Sequence, residues 1–269
     1  MANNHGSSPG RSVTSKVVSL LDAFSSSAQE LSLNALAVGS GLPLSTAYRL
    51  ASELVENGLL EREGRGSYRI GLRLWEIGSL APRGLTVRDI ALPFMQELHK
   101  ATNENVHLAV LDGYEALYIA RISGRRSVAQ KARLGQRLPL HATGVGKVLL
   151  AHAPRAFLHE IVARGLTPYT PHTVVAPGRL ARMLAEIRRT GIAFSREELT
   201  LGTVSVASPV FDRNESIAAA LAVVVRTSGV DLQRLAPGVR MAAMGISREN
   251  RIRAILPADT FVVAQAGSS

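Results

Sequence analysis

Ser45, Thr46, Tyr48 and Arg49 set two small hydroxyls, a phenol and a guanidinium within five positions of the chain. Such groups donate to and accept from flat hydrogen-bonding edges, and a guanidinium pairs with anions such as phosphate. The run around them, GLPLSTAYRLASELVENGLLER from Gly41 to Arg62, supplies a frame that would hold them outward. Pro43 and Ser45 mark a helix start, since proline is tolerated there and a serine oxygen can accept from a first-turn amide. Leu44, Ala47, Leu50, Leu54 and Val55 recur at spacings of three and four and give one buried stripe, which leaves Thr46, Tyr48, Arg49, Ser52 and Glu53 off it. Gly58 suits the left-handed position that ends a helix, and Leu59 and Leu60 return the chain to the core. A second basic set follows in EREGRGSYRI, where Arg62, Arg65, Tyr68 and Arg69 lie on two short extended segments around Gly64 and Gly66.

Two shorter segments must position this helix. Val13, Val17, Leu20, Leu21 and Phe24 share one helical face, Leu33, Leu36 and Ala37 another, and Gly39 to Gly41 reads as a tight turn. A helix, a glycine-containing turn, a polar-tipped helix and an arginine-bearing hairpin form a winged helix-turn-helix, whose second helix enters the major groove of double-stranded DNA. The outward residues of the helix would then meet the groove, and Arg62, Arg65 and Arg69 would line the wing. Taken singly each has a plainer reading: a Ser/Thr pair caps a helix, Arg49 is solvated, Tyr68 packs in a strand. Their order together favours DNA. A ligand-sensing protein whose helix-turn-helix packs against protein is the alternative.

The net charge of +10 does not sit on this region. Up to Arg83 there are eight Lys and Arg against seven Asp and Glu, so the remainder carries +9. Part of that clusters at Arg121, Arg125, Arg126, Lys131, Arg133 and Arg137, where solvated surface, DNA attraction and an anionic ligand are all open. The 269 residues suffice for two domains. Cysteine is absent, which removes disulfides and thiolate metal sites. The apolar run from Ile217 to Val225 is too short to span a bilayer and MANNHGSSPG lacks a signal peptide's apolar region, so a cytoplasmic protein without membrane contact is expected.

Catalysis finds little support. HATGVGKVLLA resembles a phosphate-binding loop, yet His141 stands where that motif needs glycine and Val148 where it needs Ser or Thr after Lys147. Adjacent Glu197 and Glu198 would point to opposite faces of a strand. The histidines are scattered without ligand spacing, so neither a metal nor a cofactor is expected and the chain does not read as an enzyme.

Beyond the wing, GLRLWEIGSLAPRGL is apolar over more than one helical face, with Leu72 and Trp75 prominent, and should pack against a neighbouring subunit or domain; Pro82 and Gly84 close it. Val87, Ile90, Phe94 and Leu98 open a longer amphipathic helix. The period then falls to two: Val106 to Val110 and Ala116 to Ile122 flank an Asp112-Gly113 turn, and Ser127 to Leu134 is a third extended segment. Val145 to Ala151, Ala156 to Ala163 and Leu180 to Ile187 read as helices, Thr203 to Phe211 and Ile217 to Val225 as strands, and Leu232 to Ile255 as a closing helix. The sum is an α+β domain on a mostly antiparallel sheet. The expected division is a tail over 1–9, a DNA-binding domain over 10–71, a linker helix over 72–83, a second domain over 84–257 and a tail over 258–269.

From about Ser12 to Arg253 the chain resembles the isocitrate lyase regulator (IclR) family of bacterial transcription factors. The likeness rests on GLPLSTAYRLASELVENGLLER, on RLPLHATGVGKVLLA, and on GIAFSREELTLGTVSVASPVFD followed by IAAALAVV. The resemblance implies a winged helix-turn-helix, a linker helix that dimerises through residues such as Leu72 and Trp75, and a GAF-like domain that binds a small effector. It also implies dimers, or dimers of dimers, on pseudo-palindromic operators, with DNA contacts that fall by position on Ser45, Thr46, Tyr48 and Arg49 of the helix and on Arg65, Tyr68 and Arg69 of the wing. By position, the implied effector site comprises Ser127 and Gln130 on the 127–133 strand, Leu138, Gly144, Val145 and Gly146 at a helix start, Ser195, Thr203, Ser205, Ala222 and Val224. Free amides at Gly144 to Gly146 would hold a carboxylate; close helix-to-sheet packing is the other role for those glycines. The family often has cysteine where Ser205 stands, and its members that bind small keto acids carry hydroxyls where this chain has Ala222 and Val224. Fewer polar partners imply a larger, partly apolar effector, an aromatic or aliphatic carboxylate.

Overall fold

The computed structural model describes residues 11–25, 28–64, 66–80, 82–123, 134–228 and 231–253. The chain divides into two compact units after Ala81.

In the first unit, α1 (Val13–Asp22) starts where the Ser12 side chain accepts from the Ser15 amide, and α2 (Leu33–Ser40) starts where Ser32 accepts from Ala35. Between them lies β1 (Glu30–Ser32), three residues that are too few to show an alternating pattern. The turn after α2 begins at Gly41, not Gly39: Gly39 is helical and abuts Ala23, whose Cβ would lie 2.9 Å from an added methyl group. The helix α3 (Leu44–Glu56) follows and ends as Gly58 adopts a φ of +71°, which lets the Leu59 amide bond back to the Leu54 carbonyl. The wing is β2 (Leu60–Glu63) and β3 (Ser67–Ile70), and β3 lies between β1 and β2 in an antiparallel sheet. Leu20, Leu36, Leu50, Leu54, Leu60 and Tyr68 form the core. The unit ends on α4 (Leu72–Gly78).

Pro82 and Gly84 open the next helix rather than closing the linker, because proline fits a first helical turn. That helix, α5 (Pro82–Thr102), precedes the hairpin of β4 (Asn105–Asp112) and β5 (Glu115–Ile122). Next come β6 (Arg137–Pro139), α6 (Gly144–His152), α7 (Arg155–Ala163) and α8 (Pro177–Thr190). The chain closes with β7 (Ala193–Arg196), β8 (Thr203–Phe211), β9 (Ile217–Arg226) and α9 (Leu232–Arg253).

The six strands form one antiparallel sheet in the order β6-β5-β4-β9-β8-β7. The central strand β9 is buried on both faces, so its alternation is one of partners and not of polarity. Leu221, Val223 and Val225 face α5 and α9, while Ala220, Ala222 and Val224 lie in the cluster that includes α6, α7 and α8. Small residues dominate under α6, where Ala109, Ala207, Ala220 and Ala222 let the helix approach the sheet. The Ser127 to Leu134 segment falls, apart from Leu134, outside the described residues.

Candidate functional site

The first unit presents α3 with one face buried through Ala47, Leu50, Ala51 and Leu54. Leu44 is half exposed and leaves the expected stripe; Ala51 replaces it. Pro43, not Ser45, is the N-cap, and among the described residues no side chain caps the helix. Ser45 is therefore not a capping residue and is exposed, as are Tyr48 and Arg49, while Thr46 is half-buried. The Arg49 guanidinium pairs with Glu53 at 2.6 Å one turn along.

On the wing, Tyr68 is 2% exposed and belongs to the core, so its expected DNA contact is corrected. The alternation that points Arg69 outward turns Tyr68 inward, where it packs with Leu20, Leu36 and Leu60. Arg62 lies over the Tyr68 ring at 5.9 Å, and Arg69 is held by Glu61 at 2.6 Å and also by Glu63. That pairing with Glu61 lowers the Glu61 pKa and raises that of Arg69. Arg65 lies outside the described residues. Beyond the wing, α4 exposes Leu72, Trp75 (by 69%) and Ile77, and Leu80 just past the helix is exposed as well.

The second unit encloses a cavity of about 230 Å³ between the sheet and the start of α6. Of the effector residues expected from the sequence, Leu138, Gly144, Val145, Ser195, Thr203, Ser205, Ala222 and Val224 line it. Ser127 and Gln130 lie outside the described residues. Gly146 does not line it: its amide is taken by Thr143 Oγ1 at 3.0 Å, and an added Cβ would sit 2.5 Å from the Leu140 carbonyl oxygen. Gly144 serves both roles considered for these glycines. It lines the cavity, and a Cβ there would meet Ser205 Oγ at 2.7 Å.

With Thr143 as N-cap, Gly144 and Val145 are the first two helical residues, whose amides have no acceptor inside the helix. They stand at the positive end of the helix dipole. Thr143 Oγ1 also donates to the Pro139 carbonyl, which fixes the cap, and Ser195 and Ser205 are buried hydroxyls on the neighbouring strands. Leu138, Val145, Ala222 and Val224 make the apolar wall. Tyr169, at the side, tilts over His141 at 5.9 Å.

Sequence reasoning missed His107 and Tyr118, which line the same cavity from β4 and β5. Their rings meet edge to face at 5.5 Å. Burial, and secondarily the charge of Arg121, pushes the His107 pKa down from 6.5 to about 3; burial pushes the Tyr118 phenol up. Alternation within VHLAV could have assigned His107 to a face, although not to a cavity.

A second feature missed is the buried ion pair between Lys147 and Glu198. Lys147 Nζ donates to Glu198 Oε1 at 2.5 Å and to the Phe194 carbonyl at 2.8 Å, and the two side chains are 0% and 5% exposed. Burial lowers the Lys147 pKa, against the opposing pull of Glu198. Glu197 and Glu198 do diverge, but through a left-handed Glu197 (φ +57°) just past β7 and not by strand alternation. Thr170 and Thr173 hydroxyls donate to the Glu197 and Glu198 carbonyls at 2.6 Å each, and the next residues, Leu199 and Thr200, line the cavity.

The two units match two family models in this order. Residues 13–64 match the IclR helix-turn-helix domain, and residues 81–248 match the bacterial transcriptional regulator IclR C-terminal domain. The chain belongs to the IclR family. It is accordingly a DNA-binding transcriptional regulator with an α+β effector domain. It is 33% identical over 238 residues to the HTH-type transcriptional regulator XynR of Escherichia coli, covering 87% of this chain and 94% of that protein. The HTH-type transcriptional repressor AllR of Klebsiella pneumoniae is 32% identical over 216 residues, 80% of this chain and 79% of that one. Among solved structures, an IclR homologue of Microbacterium hydrocarbonoxydans in complex with 4-hydroxybenzoate superposes with a TM-score of 0.84 at 32% identity, covering 90% of this chain and all of that one. The Thermotoga maritima IclR superposes at 0.73 with 31% identity, covering 88% and 97%. Among the described residues no helix is long and apolar enough to cross a membrane.

Proposed function

We propose that this regulator binds a pseudo-palindromic operator as a dimer, or a dimer of dimers, and that an aromatic carboxylic acid in the cavity under α6 changes its operator affinity. The carrying observation is that a mostly apolar cavity of about 230 Å³ meets the open Gly144 and Val145 amides, with the Ser205 hydroxyl beside them. A helix start with unpaired amides suits a carboxylate, and the Leu138, Val145, Ala222 and Val224 wall suits a ring. The volume lies below the 300 Å³ or so at which drug-sized sites begin, which favours a single ring. The 4-hydroxybenzoate complex of the Microbacterium relative supports an acid of this class.

On DNA, Ser45, Thr46, Tyr48 and Arg49 face the bases and phosphates of the major groove, the uncapped start of α3 faces a phosphate, and Arg69 and Arg65 follow the backbone from the wing. The Arg49–Glu53 and Arg69–Glu61 pairs are solvent-exposed and weak, so phosphate contacts readily replace them. Leu72 and Trp75 dimerise the chain. Ligand binding favours one arrangement of the paired linkers and so alters the spacing of two recognition helices against fixed half-sites.

Fluorescence anisotropy on DNA flanking the regulator's own gene tests this. Saturating benzoate is expected to shift operator affinity at least about tenfold, a coupling near 1.4 kcal/mol. Specific operator binding that no aromatic or aliphatic acid changes would refute the effector reading.

A further inference from the structure

We propose that His107 determines effector specificity by hydrogen-bonding a neutral hydroxyl at the end of the ligand opposite its carboxylate. The inference rests on the carboxylate site proposed at α6 and extends it to the other pole of the cavity. His107 is 1% exposed, lines the cavity, and its Nε2 has no hydrogen-bond partner among the described residues. A buried polar atom left without a partner is costly, so a site containing one is tuned for a ligand atom that completes it.

The sheet fixes where that atom must be. Ala207 on β8, Ala222 on β9 and His107 on β4 form one cross-strand row. Gly144 stands over the β8 end of this row, where an added Cβ would lie 3.4 Å from Ala207 Cβ. Two strand spacings of about 4.8 Å each separate that end from His107. Ala222 between them carries only a methyl group, which leaves room for a ring lying along the row. The ligand therefore needs one polar group at each end and an apolar middle.

The chemistry of the second group follows from the charge of the histidine. With its pKa pushed down to about 3 by burial and by Arg121, the ring is neutral at physiological pH and attracts no second carboxylate. A hydroxyl donates to or accepts from a neutral imidazole in either tautomer. The edge-on contact with Tyr118 limits rotation of the ring, so the hydroxyl position is read as well as its presence. A hydroxyl beside the carboxylate, at the α6 end, would not reach.

Calorimetry with 4-hydroxybenzoate, 2-hydroxybenzoate and benzoate on the wild-type chain, His107→Phe and His107→Gln tests the inference. The wild type is expected to bind the 4-hydroxy acid about tenfold tighter than benzoate and to bind the 2-hydroxy acid no better than benzoate. His107→Phe should erase that preference, and His107→Gln should restore part of it. Should His107→Phe fail to fold, the wild-type series and His107→Gln still decide. Equal wild-type affinity for all three acids, or a preference that survives in His107→Phe, would overturn the role of His107 and leave the carboxylate site standing. Binding of none of the acids would overturn the carboxylate site and this inference with it.

Discussion

Lys147→Met removes the cation from a pair that is almost wholly dry. Glu198 Oε1 loses its partner at 2.5 Å, and Oε2 already has none among the described residues. The carboxylate is then left in a dry site without its cation, and a buried pair that loses one member typically costs roughly 3–5 kcal/mol. Urea denaturation of the intact chain, reading the transition of the C-terminal unit, should show a loss of about 3–4 kcal/mol at pH 7. Lys147→Met with Glu198→Leu should recover most of the stability, because it leaves no lone charge. A single-variant loss below about 1 kcal/mol, or a double variant no more stable than the single one, would contradict this role of the pair.

Other consequences are testable with the same material. The folded His107 pKa, about 3, lies below the 6.5 of the unfolded chain, so the unfolded state binds more protons between those values. The stabilising contribution is present above pH 6.5 and is lost as pH falls toward 3, by up to about 1.36 kcal/mol per unit; His107→Gln should flatten the acid limb of a denaturation series by that amount. Tyr68→Ala should cost the N-terminal unit about 3–5 kcal/mol, whereas Tyr68→Phe should leave operator affinity unchanged, since the ring is a core residue. Trp75→Ala is expected to weaken dimerisation in sedimentation while changing monomer stability by less than about 0.5 kcal/mol.

What was legible in the sequence was what repeats. The stripe on α3, the two glycine-marked turns and the long strands β8 and β9 follow from spacing, because each extends over enough residues to show its period. Short elements such as β1 and β6, three residues each, carry no period. Residues at boundaries were ambiguous for a similar reason: Pro82 is compatible with ending a linker and with starting α5, and only the packed helix decides. Tyr68 shows the limit of residue type, since a tyrosine beside arginines suits DNA until strand alternation turns it inward. The cavity was legible through the family motifs on β8, β9 and α6, but His107 and Tyr118 come from a hairpin distant in sequence. Likewise Lys147 and Glu198 are 51 positions apart, and nothing local to either one names the other.

Ala222→Phe tests whether the cavity is coupled to the operator. The substitution fills the middle of the cavity from β9 and leaves the sequence of the first unit unchanged. In an anisotropy titration of the intact chain, wild-type operator affinity is expected in the absence of acid, together with loss of the tenfold response to benzoate or 4-hydroxybenzoate. An undiminished response in a correctly folded Ala222→Phe chain would contradict that coupling, because the acid would then be acting from somewhere other than the cavity under α6.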